Sequence, residues 1–393
     1  MKTKEFTMRK YILIIVIIFL LLFSGGCLKK WRSEANSITP VAETPGIIPN
    51  AAVPSVASTV PSDVPTAYRE KYIEITSWLD QKLIDWKPKE YQPLNFGAYH
   101  VFASDEMFVK SNEEIDLKIL EVLEQTNSDI IVLYIRPSSY FSQKARYDKL
   151  INKIRSNGKK LFIGARFDEV KMDFKEYEKE LTDYTINIIA AIKPEYFGVL
   201  IEPRTMEKRN GFTASDEEWT KMVERISDQS KQLSPGTKTV ASGHKEELKF
   251  LEMASNIKSL DIIGIDLYFN DGTYNEYSGY LGKGDIIGNT IDYANSKGKE
   301  TWILETWASD PTVGREIQKV SNQPFMMSID AKWLRLMTYY AQKHNMTVIV
   351  PFFTGKFVAY TDNAEDFIKD LNNNERTPVF YEYKNLIQEY SKK

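Results

Sequence analysis

The chain of 393 residues contains a single cysteine, Cys27, and only three histidines. One cysteine excludes an internal disulfide, and past Cys27 it excludes cysteine-built metal sites and a thiol nucleophile. The histidines show no short His-x-x-x-His spacing, which argues against a metal site built on His100, His244 and Asp266. No glycine-rich loop follows the first strand-like run, where Phe102-Ala-Ser-Asp105 offers no phosphate-cradling turn, so no nucleotide cofactor is expected. An excess of one charge is also missing. Lys and Arg number 51 against 54 Asp and Glu, a net charge of -3 with no basic cluster, and this argues against nucleic acid as a partner.

Long apolar runs are confined to one place. Lys2, Lys4, Arg9 and Lys10 form a basic lead to the uninterrupted run from Tyr11 to Phe23, which ends in Ser24-Gly25-Gly26-Cys27. A comfortable transmembrane helix needs roughly 17 to 25 apolar residues, and this run is shorter. The segment resembles a prokaryotic lipoprotein signal, although Ser24 stands where such signals usually carry leucine. The resemblance implies lipidation at Cys27; an uncleaved anchor is the alternative, and either places the domain on the outer face of the cytoplasmic membrane. Residues 28–65 are rich in Pro, Ala, Ser and Thr without apolar periodicity and read as a tether. Residues 66–393 are long enough for one large α/β domain.

Within that domain, short runs rich in Ile, Val, Leu and Phe alternate with stretches of helical spacing. The runs fall near residues 95–102, 130–135, 160–166, 196–202, 238–242, 261–268, 300–305 and 347–353. Several, such as Asp129-Ile-Ile-Val-Leu-Tyr-Ile135, are apolar throughout, as parallel strands covered on both faces are. Helical spacing appears at 66–86, 113–125, 143–157, 174–192, 215–233, 245–257, 285–297, 326–344 and 378–391. Eight strands each followed by a helix predict a (β/α)8 TIM barrel.

In such a barrel, function lies at the carboxyl ends of the strands. The residues there are Tyr99 and His100, Arg136, Arg166 and Asp168, Glu202 and Arg204, His244, Asp266 and Tyr268, Glu305 and Trp307, then Phe352 and Phe353. Carboxylates, arginines and aromatic rings suit a carbohydrate, whose rings have apolar faces and hydroxyl edges. Glu202 and Glu305 each stand where an apolar run breaks into polar sequence, and two carboxyls converging in one cleft can cleave a glycosidic bond. A serine nucleophile in Ser242-Gly243-His244 is disfavoured by the absence of a G-x-S-x-G elbow.

Ile201-Glu202-Pro203 is similar to the Asn-Glu-Pro of cellulase-type enzymes, and Leu304-Glu305 with Trp307 resembles their strand-seven ending. On these motifs the chain from about Asn95 onward resembles the clan A glycoside hydrolases, which are retaining barrels. The resemblance implies Glu202 as acid/base, kept protonated, and Glu305 as nucleophile, held ionised by Tyr268 and Arg136. The strand ends offer supporting or substrate-binding places for His100, Asp266, His244, Trp307 and Phe353, with a poly- or oligosaccharide as partner. Two departures stand out. Ile201 replaces the asparagine that binds the sugar 2-hydroxyl, and Phe352 and Phe353 occupy the place of the strand-eight tryptophan. These departures keep open a second reading, a non-catalytic carbohydrate- or envelope-binding lipoprotein.

Overall fold

A computed structural model describes residues 60–100, 113–165, 171–269, 285–308, 322–361 and 363–391. The expected signal, Cys27 and most of the tether lie outside the described residues, as do Arg166 and Asp168. Among the described residues no helix is long and apolar enough to cross a membrane. Packed structure starts slightly before the expected boundary at Thr66, since Val64 is already buried in the core.

Eight strands run β1 Asn95–Tyr99, β2 Ile130–Ile135, β3 Lys160–Ala165, β4 Tyr196–Ile201, β5 Lys238–Gly243, β6 Ile262–Tyr268, β7 Glu300–Trp307 and β8 Val348–Pro351. Each pairs in parallel with its chain neighbour, and β8 returns to β1, closing the barrel. Helices between the strands cover the outside, with starts fixed by polar caps. Ser215, for example, accepts from the Glu218 backbone while the Glu218 side chain accepts from Ser215, which begins the helix Asp216–Leu233. Three helices escaped the sequence reading: Pro137–Ser142 after β2, Pro203–Asn210 directly after β4, and Ala364–Asn372. The amino-terminal helix Arg69–Trp86 lies against Met326–Lys343, joined by Tyr72 Oη and Ser328 Oγ at 2.7 Å.

Alternation along the strands produces two cores. Outward residues such as Ile131, Leu133, Ile163 and Phe197 pack under the helices. Inward residues, among them Ile130, Val132, Tyr134, Phe162, Tyr196, Ile201, Trp302 and Leu304, fill the barrel itself, so it is a packed interior and not a pore. Large rings fit there only because small residues face them. A Cβ at Gly164 would stand 2.7 Å from the ring of Tyr134 and 3.0 Å from Ile201 Cδ1.

That close approach predicts the effect of Gly164→Ala. The added methyl must displace a ring wedged in the interior, and overpacking of this kind costs about 1–3 kcal/mol. Urea unfolding should show a lower midpoint with an unchanged slope.

Candidate active site

Neither glutamate reaches the barrel mouth by regular strand geometry. In β7, Ile303 pairs with Ile265 but the next pair is Glu305 with Asp266, so Leu304 is an extra residue. Strict alternation from inward Trp302 and outward Ile303 would turn Leu304 inward and Glu305 outward. The bulge lets both face in, because one inserted residue resets the period-two alternation. Thr306 Oγ1 holds the kinked segment, donating to Leu267 O at 2.7 Å while accepting from Trp333 Nε1 at 2.9 Å.

A second irregularity places Glu202. The β4 register against β5 slips between Gly198 and Leu200, so Val199 and Leu200 both lie in the outer core before Ile201 returns to the interior. Glu202 then takes φ 52° and ψ 69°, a left-handed conformation that costs a residue with a Cβ roughly 1–2 kcal/mol. Its N–H still donates to Ser242 O at 3.1 Å. Strain held at such a point is a recurrent property of functional positions.

The two side chains meet different surroundings. Glu305 is buried and accepts one hydroxyl on each oxygen, Tyr134 on Oε1 at 2.5 Å and Tyr268 on Oε2 at 2.6 Å. Burial and the nearby Glu202 charge push its carboxyl up to about 7, against the downward pull of the two hydroxyls. Glu202 accepts from His244, with Nε2 to Oε1 at 2.7 Å. Burial alone would raise Glu202, but the His244 charge and bond, the Thr205 hydroxyl and the Arg209 charge outweigh it and hold it below the usual carboxylate range. For His244 burial favours the neutral ring, and Glu202, Asp266 and Glu247 more than reverse that, so its proton is held well above the ordinary histidine range.

This inverts the expected protonation of the pair. A cation stands beside Glu202, and among the described residues none bonds Glu305. Arg136, expected to hold Glu305 ionised, makes no bond to it. The contact from β2 comes from Tyr134, one inward position earlier on the same side of the strand, and Arg136 stands at the N-cap position of the short helix Pro137–Ser142 without a side-chain cap bond.

Asp266 pairs with Glu305 across neighbouring strands and accepts from Ser242 Oγ at 2.9 Å. Its other oxygen, Oδ1, is buried with no hydrogen-bond partner among the described residues. Burial and the charges of Glu305 and Glu202 push its carboxyl far up. Because the Ser242 hydroxyl is directed to Asp266 and His244 is engaged by Glu202, no serine–histidine pair forms. Glu247 joins the ends of β4 and β5, accepting from the backbone N–H of Arg204 at 2.7 Å and from that of His244. The Arg204 guanidinium is itself committed to Glu207 and Asp216.

Two expected site residues are structural. His100 is fully buried and bonds Asp116 O at 3.0 Å, in a network where Asp116 pairs with Arg146 at 2.6 Å. Trp307 is likewise fully buried, packed against Phe357 and Phe353, and has no face to offer a sugar. The rings that border the glutamates are Phe352, stacked on Tyr99 at 4.5 Å and 6.2 Å from Tyr268, and half-buried Phe353, 6.2 Å from Tyr268. Tyr134 was missed as a site residue, although its polar tip at the last inward position of an apolar strand was a usable signal. Among the described residues no group of His, Cys, Asp and Glu is arranged to hold a metal ion.

Compared by structure, the chain is similar to GH5_18 from Streptomyces cattleya in complex with GlcNAc, with a TM-score of 0.54 at 8% identity over 77% of this chain and 81% of that one. It is also similar to an exo-β-1,4-mannosidase from Opitutaceae bacterium strain TAV5, with a TM-score of 0.53 at 9% identity over 75% and 59%. These likenesses show a shared fold, the closed (β/α)8 barrel. Bacteroides uniformis β-glucuronidase 2 matches at a TM-score of 0.46 and 12% identity over 66% of this chain, which spans only 30% of that enzyme's length. By sequence the chain matches no family model and no curated protein.

Removing one of the two hydroxyl donors should move Glu305 in a known direction. In Tyr134→Phe the carboxyl loses a bond that favours its charged form, so its titration should move upward from about 7. Carboxyl-carbon NMR, assigned by comparison with Glu305→Gln, reads this directly; a downward move would contradict the hydroxyl's role.

Proposed function

We propose that this protein is an exported, membrane-tethered glycoside hydrolase that cleaves O-glycosidic bonds of a poly- or oligosaccharide by a retaining, two-glutamate mechanism. The observation that carries the reading is that two separate backbone irregularities bring Glu202 and Glu305 to the same end of the barrel, close enough for the Glu202 charge to raise Glu305. A strained glutamate and a bulged strand have no evident packing benefit. They make sense where two carboxyls must act on one bond.

In this mechanism Glu305, when ionised, attacks the anomeric carbon and forms a covalent glycosyl intermediate, while the departing oxygen takes a proton from Glu202. The Glu202 carboxylate then removes a proton from water, which releases the sugar with its original configuration. Tyr134 and Tyr268 hold both Glu305 oxygens and fix the attack direction. Phe352 and Phe353 supply apolar surface for a sugar face. A non-catalytic sugar-binding barrel is favoured by one feature, the apolar Ile201 side chain, which sits inside the barrel and offers the sugar no hydrogen bond. The basic lead, the Tyr11 to Phe23 run and Cys27 support the tether. Cys27→Ala should therefore abolish incorporation of labelled fatty acid and release the chain from the membrane fraction.

Release of reducing ends from β-linked glucans, mannans, galactans and xylans tests the activity. Glu305→Gln should lose turnover on every substrate that the unaltered protein cleaves, and Glu202→Ala should lose roughly 10²- to 10⁴-fold. The first-formed product should keep the substrate's anomeric configuration by proton NMR. Because Glu305 must be ionised to attack and titrates at about 7, activity should fall as the pH drops below neutrality. Sugar binding without turnover, unchanged in both variants, would favour the binding-protein reading.

A further inference from the structure

The pair formed by Glu202 and His244 carries more information than a simple ion pair. Both nitrogens of the His244 ring face acceptors. Nε2 lies 2.7 Å from Glu202 Oε1, and Nδ1 faces the backbone carbonyl of Asp266 at a longer 3.4 Å. A carbonyl oxygen can only accept, so Nδ1 carries a hydrogen. A 2.7 Å contact between nitrogen and carboxyl oxygen also needs a hydrogen, on one atom or the other. The unit therefore holds one proton in the Nε2–Oε1 bond whichever side it occupies.

The surrounding charges decide the side. Thr205 and Arg209, on the helix Pro203–Asn210 that Glu202 introduces, favour a carboxylate at Glu202. Asp266 on β6 and Glu247 on the turn after β5 favour an imidazolium at His244. The charges of Glu202 and His244 both act on Glu305 on β7, and the Tyr268 ring stands 6.2 Å from the imidazole. Thr205, Arg209, Asp266 and Glu247 thus push the proton from oxygen towards nitrogen.

We propose that Glu202 and His244 form one acid/base unit in which the transferable proton rests on His244 Nε2 in the free protein and crosses to Glu202 as the leaving oxygen departs. This deepens the hydrolase reading and rests on it. In the first half-reaction the Nε2–H bond breaks and an O–H bond forms on Glu202. That proton passes to the glycosidic oxygen, which keeps the electron pair of the breaking C–O bond while Glu305 forms the new one. In the second half a water proton returns through Glu202 to Nε2, and the ring ends as it began. His244 acts through Glu202 and is a positioning and proton-holding residue.

The test uses the full-length chain in detergent, labelled with ¹⁵N-histidine, whose three histidines keep the spectrum simple. At pH 7.5 the His244 ring should show two N–H nitrogens in the unaltered protein and should become a neutral ring in Glu202→Gln. A neutral His244 ring in the unaltered protein overturns the proposal, and because no substrate is involved this outcome is separate from the fate of the hydrolase reading. The kinetic arm compares leaving groups. His244→Asn should lose roughly 10²-fold or more on unactivated glycosides and little on aryl glycosides whose leaving group needs no proton. It should also lose the alkaline limb of the pH profile. An equal loss on both substrates would reflect mere distortion of the site and would reject the proton-holding role.

Discussion

The site depends on a buried carboxyl group that, among the described residues, is bonded by hydroxyls and by no cation. Glu305 is held by two tyrosine hydroxyls from opposite sides, and each hydrogen bond lowers the cost of charge in a dry place without cancelling the charge. The β7 bulge exists to bring this group inward, and the Tyr134 ring that meets it needs a bare glycine beside it on β3. Backbone irregularity, interior packing and ionisation are therefore one arrangement seen at three scales.

Much of this was legible in the sequence. Apolar runs broken by helical spacing gave the strand order and the closed barrel, because parallel strands must be covered on both faces and each return needs a helix. Positions of polar residues at run ends located the mouth and both glutamates. Direction at the mouth was not legible. Trp307 and His100 stand at strand ends and turn into closed packing, whereas Glu202 turns towards the mouth through a left-handed backbone that no residue type announces. A bulge changes facing by one residue, and alternation read from sequence carries no mark of where one sits. Arg136 was misplaced for the same reason, since a single inward step separates it from the tyrosine that makes the contact.

Protonation was misread because it is a collective property. Glu202 was expected to be the protonated partner on the strength of its assigned role, but charge state follows neighbours. His244 lies 42 positions away along the chain and is brought beside Glu202 only because β4 and β5 are adjacent strands. Glu247 then ties the two strand ends together through their backbone N–H groups, which fixes the distance between acid and imidazole more firmly than either side chain could alone.

The two ends of the barrel treat charge in opposite ways, and the contrast explains where chemistry belongs. At the amino-terminal end a cleft is bordered by Lys238, Lys258, Asp261, Lys297, Lys299 and Glu300, and both of its carboxylates are paired. Lys238 pairs with Glu300, Lys231 reaches Asp261 at 2.7 Å, and Lys299 donates to Leu260 O at 2.6 Å. Such pairs settle into fixed states and contribute to holding the ring closed. At the carboxyl end, among the described residues, Glu202, Glu247, Asp266 and Glu305 crowd around the His244 imidazole, with the Arg209 guanidinium also acting on Glu202. Not all four can be ionised together, so the excess charge is relieved by protons instead of partners. A cluster that keeps its protons loosely shared near neutral pH is poised to lend one and reclaim it.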